Sequence, residues 1–205
     1  AALILTMFLA AVSAAGQGKE ITRQEYCDPL RTAVEKGRAL LVRKVSKTEM
    51  FKDGKLSGTD DWSYEYEFER PIGYIHTETE AGKRTQQTVT YISGGEGGPL
   101  DRVQPTCIGN GMNFIPNTAL IRYSAEPNKP NEKYARLLSQ YITYKDIFSK
   151  NSDVEELAYY EAKSWLNDEG LLIKEEIRYG FVVGNTIDRV TVDTYEYKPK
   201  VKSKR

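Results

Sequence analysis

The sequence has 205 residues, 29 Lys and Arg against 29 Asp and Glu, and 40% apolar residues. That balance excludes the strongly basic face that duplex nucleic acid demands, so no nucleic-acid partner is expected. With one histidine and two cysteines in the whole chain, zinc clusters and Cys/His nucleophile systems have almost no raw material, and neither a metal nor another cofactor is expected.

Ala1 to Val12 is an uncharged, mostly apolar run, followed by small residues that fit a cleavage site near Ala14, Ala15 or Gly16. This predicts a signal peptide over residues 1–16 and an exported product, periplasmic or secreted. The run is short of the ~20 residues of a membrane span, and no Cys stands at the cleavage point to carry a lipid anchor. Residues 17–205 then make one domain with a sizeable core. In an oxidising compartment Cys27 and Cys107 are candidates for a disulfide across a long loop; the alternative is two separate buried thiols.

Asp28 as N-cap and Pro29 at the first helical position open a short amphipathic helix in "CDPLRTAVEKGRALL", with Leu30, Ala33, Val34 and Gly37 at helical spacing. Four strands follow in "ALLVRKVSKTEMF", "WSYEYEFE", "RPIGYIHTETE" and "TQQTVTYI". Turns carrying Asp53-Gly54, Arg70-Pro71 and Ala81-Gly82 join them into an antiparallel meander. In the second strand Trp62, Tyr64, Tyr66 and Phe68 alternate with Glu65, Glu67 and Glu69, which puts the rings on one face and the carboxylates on the other. A register slip of one would turn every ring into water, so the ring side is the covered side.

Residues 93–117 read as an irregular Gly/Pro loop; "GGEGG" and "GNG" lack the Gly-Lys-Ser/Thr of a phosphate loop. After a strand in "ALIRYSA", the segment "NKPNEKYARLLSQYI" predicts a second amphipathic helix, capped at Asn131, with Tyr134, Leu137, Leu138 and Tyr141 at i, i+3, i+4 and i+7. "ELAYYEAKSWLNDEG", "LLIKEEIRYG" and "DRVTVDTYEYKP" predict three more strands, the first two joined by a hairpin turn over Asn167 to Gly170. The expected fold class is α+β: a curved antiparallel sheet, an unclosed half-barrel of about seven to eight or more strands, covered by helices.

Catalytic candidates are few. His76 is the single histidine and no G-x-S-x-G elbow occurs, so no enzyme is expected; that class would gain only from His76 beside a carboxylate in a cleft. The pairs Asp60-Asp61, Glu155-Glu156 and Glu175-Glu176 read as solvated surface. The tail with Lys198, Lys200, Lys202, Lys204 and Arg205 reads as a frayed end, with contact to an anionic membrane surface as the alternative.

"YEAKSWLNDEGLLIKEEI" followed by "DRVTVDTYEYKPKVK" places Trp165 in a strand, then an Asp/Glu-Gly turn, an apolar-charged strand and a terminal Tyr-x-Tyr-x-Pro. This grammar resembles the closing strands of the LolA/LolB/LppX-like group of exported lipoprotein-carrier and lipid-binding proteins. "KTEMFKDGKLSGTDDWSYEYEFERPIGYIHTET" is similar to the paired strands that open that fold, while the Gly-rich insertion from Ser93 to Asn117 departs from it. The resemblance implies an unclosed barrel whose concave face, lined by apolar and aromatic side chains under a helical lid, holds acyl chains. It makes Trp62, Tyr64, Tyr66, Phe68, Ile75, Val89, Tyr91 and Trp165 the expected lining of a hydrophobic cavity. It also makes lipid or a lipidated protein the expected partner of a monomeric, non-catalytic carrier. The alternative is a periplasmic interaction or sensory module that binds a protein partner and keeps its interior filled.

Overall fold

Strands joined by short turns pair with their sequence neighbours, and here that rule generates nearly the whole molecule. The computed structural model describes residues 18–67, 70–80, 83–90, 107, 120–127, 134–145, 157–181 and 186–199. The expected signal peptide, most of the Gly-rich loop and all of the basic tail beyond Pro199 lie outside these residues. Along the chain run β1 (Lys19–Glu20), α1 (Arg23–Arg38), β2 (Leu41–Lys52), β3 (Lys55–Glu67), β4 (Arg70–Glu80) and β5 (Lys83–Thr90). Then follow β6 (Leu120–Pro127), β7 (Arg136–Lys145), β8 (Leu157–Leu166), β9 (Leu172–Phe181) and β10 (Thr186–Tyr197).

All ten strands form one antiparallel sheet in the order β1-β6-β7-β8-β9-β10-β2-β3-β4-β5. Two meanders, β2 to β5 and β6 to β10, are fused where β10 pairs with β2. The sheet stays open, with β1 at one edge and β5 at the other. Asp53 and Gly54, both at positive φ (51° and 71°), make the two-residue β2–β3 turn, a conformation that favours Asp, Asn and Gly. At the β8–β9 hairpin Asn167 Oδ1 accepts from the backbone N–H groups of Glu169 and Leu171, and Gly170 adopts φ 75°.

The first helix starts six residues earlier than the spacing predicts. Thr22, not Asp28, is the N-cap: its hydroxyl accepts from Glu25 N at 3.2 Å while Glu25 Oε2 accepts from Thr22 N at 2.8 Å, a reciprocal capping box. Pro29 sits inside α1, where a proline costs about 3 kcal/mol in a free helix. Burial of Tyr26, Cys27, Leu30, Ala33, Val34 and Gly37 on one face offsets that cost. Asp28 instead pairs with Arg31 at 3.3 Å.

The predicted second helix is β7. Leu138, Gln140 and Ile142 are buried on the face that bears α1, and Leu137 is buried opposite Trp165 on the other, where Ser139, Tyr141 and Thr143 stay half-buried. Polar Gln140 on the buried side and apolar Leu137 and Tyr141 on the other blur the period of two in the sequence, and the apolar residues then mimic helical spacing. Among the described residues α1 is therefore the one helix over the sheet. It packs on β6 and β9, and its buried face joins Leu138, Leu166, Leu172 and Tyr195 in the main core. Cys27 and Cys107 are disulfide-bonded, with Cα atoms 5.1 Å apart across 80 residues, and Arg31 Nε donates to Cys107 O at 3.0 Å. The bond ties the helix to the long connection between the two meanders.

Candidate functional site

Cβ atoms alternate across a strand, so the registers assign every residue to the face that bears α1, called the inner face, or to the outer face. On β3 and β4 the inner face is aromatic. Trp62 is opposite His76 and Tyr64 opposite Tyr74. The Trp62 and His76 rings stack at 3.9 Å between centroids and 13° between planes, and Trp62 lies 5.2 Å from Tyr74 and 5.8 Å from Tyr64. His76 Nε2 and Asp60 Oδ1 lie 2.7 Å apart, which fixes the imidazole against the indole. Tyr66 continues this row into the core, 6% exposed, whereas Trp62, Tyr64, Tyr74 and His76 remain half-buried. Stacked and tilted ring pairs of this kind contribute about 0.5–1.5 kcal/mol each beyond their burial.

Toward the middle of the sheet the inner face turns polar. Ser46 stands between Trp62 on β3 and Asp193 on β10 in one cross-strand row. Asp193 Oδ2 pairs with Lys44 Nζ at 2.7 Å, and both side chains are nearly closed to solvent, 10% and 12% exposed. Glu175, 2% exposed, accepts from Ser164 Oγ at 3.2 Å. Tyr195 OH lies 3.4 Å from Glu175 Oε2 and 3.5 Å from Asp193 Oδ2, so its single proton serves one carboxyl at a time. Asp193 Oδ1 is buried with no hydrogen-bond partner among the described residues. Burial, and after it the neighbouring Glu175 carboxyl, pushes the Tyr26 and Tyr195 phenols well above their ordinary value of 10.0; burial acts the same way on Tyr160. These hydroxyls therefore stay protonated donors beside two buried carboxyl groups.

The third region is apolar and filled. Tyr26 and Leu30 of α1 and Leu138 and Leu172 of the sheet are at most 1% exposed where the helix and sheet meet. The inner face thus runs from a packed core under the helix, through a polar stripe on β9, β10 and β2, to half-exposed rings on β3 and β4.

The expected lining residues do not all meet. Trp62, Tyr64 and Tyr66 share the inner face, and Val89 sits opposite Tyr74 in register. Ile75, 42% exposed, is on the outer face. So is Trp165, since its neighbour Ser164 pairs with the core residue Leu138; Lys174 Nζ lies 4.4 Å from the indole centroid, a cation–π contact. Both were drawn in by residue type, where parity would have sent them out. Phe68 and Tyr91 lie outside the described residues. Sequence reasoning missed Lys44, Glu175, Asp193 and Tyr195. For Glu175 a signal existed, because it has the same strand parity as Ile173 and Ile177.

His76 does meet a carboxylate. The imidazole's hydrogen bond goes to Asp60, its face to Trp62, and no hydroxyl or thiol of the described residues bonds to it. A nucleophile–base–orienter chain needs that third member. Among the described residues no three His, Cys, Asp or Glu side chains gather as a metal site. No family model matches the chain, and no curated protein sequence matches it.

Proposed function

We propose that this protein is an exported, non-catalytic carrier or binding protein for a lipid, a lipoprotein acyl chain or another hydrophobic ligand, held on the inner face over β3 and β4. The observation that carries the reading is the half-exposed ring cluster of Trp62, Tyr64, Tyr74 and His76 on the face that α1 leaves bare among the described elements. Rings lose little side-chain entropy on binding, and apolar area removed from water is worth about 25 cal/mol per Å². The adjoining Ser46, Lys44 and Asp193 give such a ligand's polar end hydrogen-bonding groups one or two strands away. The Cys27–Cys107 bond suits an oxidising compartment, as export requires.

One observation favours a second reading, a protein-interaction or sensory module. The half of the inner face beneath α1 is filled by its own side chains, Leu30 and Leu138 being 0% exposed. Native mass spectrometry with solvent extraction, on protein purified from the exported fraction of its host, separates the two. The carrier reading expects a near-stoichiometric lipid or acylated adduct. A clean apo mass together with no uptake of a fluorescent fatty acid would reject it in favour of the filled-core module.

A further inference from the structure

The outer face of β6 and β7 carries two serines side by side. Ser124 pairs with Ser139, and their cross-strand row continues to Glu20 on β1 and to Lys163 on β8. In the adjacent row Arg122 pairs with Tyr141, and Tyr141 with Glu161. Cross-strand neighbours on one face stand about 5 Å apart, so two short side chains set among long ones leave a depression. Its volume is about 170 Å³, and Gly18 lines it at the sheet edge. A Cβ on Gly18 would stand 3.2 Å from Ser124 Oγ, so the missing side chain keeps that hydroxyl open.

A dent in a sheet is ordinary; what distinguishes this one is its chemistry. The hydroxyls of Ser124, Ser139 and Tyr141 belong to half-buried residues and have no hydrogen-bond partner among the described residues. Arg122 and Glu20 have no ion-pair partner among them either, although they stand diagonally across the β1–β6 edge. Lys163 and Glu161 already engage each other at 3.1 Å. Two cations and two acids line the depression, so their charges cancel and neither an anion nor a cation is selected. No aliphatic side chain lines it, which rejects an acyl chain. What fits is a small neutral molecule whose groups both donate and accept hydrogen bonds. Vicinal hydroxyls do so, and a guanidinium or a carboxylate takes two of them at once. The C–H face of a sugar ring has the Tyr141 ring to lie on, itself stacked on Tyr159 at 5.9 Å.

We propose that this depression is a binding site for a neutral saccharide unit, a single pyranose ring held on the face opposite the aromatic strands. Unpartnered hydroxyls on its floor and an unpaired acid and base on its rim carry the proposal, which is independent of what the inner face binds. So small and open a contact gives a Kd of about 1 mM for one ring.

The test is saturation-transfer NMR on the intact chain with the methyl glycosides of glucose, galactose, mannose and N-acetylglucosamine, and with glycine as the zwitterionic control. The site predicts transfer to the ring protons of at least one glycoside and less to glycine. Ser139→Leu fills the floor and should abolish that transfer, while Glu20→Gln or Arg122→Gln on the exposed rim should weaken binding by about fivefold. All three variants should keep the wild-type uptake of a fluorescent fatty acid, which separates this site from the carrier reading. The two rim variants keep the proposal testable if Ser139→Leu lowers the melting temperature. No transfer to any of the four glycosides would overturn the proposal, as would binding by the variants equal to that of wild type. Stronger transfer to glycine than to every glycoside would also overturn it and give the depression to a zwitterion.

Discussion

Lys44 and Asp193 form the most tightly enclosed ion pair of the inner face, at 2.7 Å. Desolvating two charges consumes most of what their attraction returns, so such a pair adds little net stability while either member alone is costly. Lys44→Met should therefore destabilise the fold by about 3–5 kcal/mol, and Lys44→Met combined with Asp193→Leu should recover most of that loss in guanidinium unfolding. Additive losses in the double variant would mean that the pair is not coupled. These residues also show where sequence reading stops. Alternation placed Trp62, Tyr64 and Tyr66 correctly because a strand with one polar face keeps a strict period of two. Glu175 and Asp193 were hidden because a carboxylate next to a second acid or a hydroxyl looks solvated, and only tertiary pairing with Ser164, Tyr195 and Lys44 makes its burial tolerable.

At the scale of elements, α1 depends on its capping box. Hydrogen bonds from Thr22, backbone first and then side chain, hold the Glu25 carboxyl below its ordinary value of 4.5. A depressed folded-state value means that the stabilisation is present above 4.5 and disappears as pH falls through the lowered value. Glu25→Gln should thus be less stable than wild type at neutral pH and equal to it in strong acid, as thermal melts at both extremes would show. A difference that persisted in acid would contradict this assignment. The elements themselves were legible where turn chemistry and alternation agree, as at Asp53-Gly54 between β2 and β3. They were illegible at β7, where polar Gln140 is buried while apolar Leu137 and Tyr141 stand on the opposite face, so the sequence shows helical spacing although burial alternates. The helix start was missed because Pro29 is a strong N-terminal signal that the earlier Thr22-x-x-Glu25 box outweighs.

For the whole molecule, the open sheet carries α1 on one face, and the disulfide fastens that helix to the connection between the two meanders. Loop closure over the 80 residues between Cys27 and Cys107 corresponds to about 4–5 kcal/mol. The Cys27→Ser/Cys107→Ser protein should lose stability of that order in guanidinium unfolding, and reductant should do the same to wild type while leaving the double variant unaffected. An equal response of both proteins to reductant would refute the role given to this bond. The β2–β5 meander and the β8–β9 hairpin were readable because each turn is local. The junction of β10 with β2 was not, since pairing across the whole chain leaves no local mark.

The two tryptophans of the chain fall on opposite faces, Trp62 inner and Trp165 outer, and this gives the most direct test of the carrier reading. Fluorescence of the single-tryptophan proteins Trp165→Phe, which keeps Trp62, and Trp62→Phe, which keeps Trp165, would be titrated with a fatty acid brominated along its chain. Binding on the inner face predicts saturable quenching when Trp62 is the reporter and almost none when Trp165 is. Equal quenching of both, or quenching of Trp165 alone, would contradict a ligand seated on the aromatic strands.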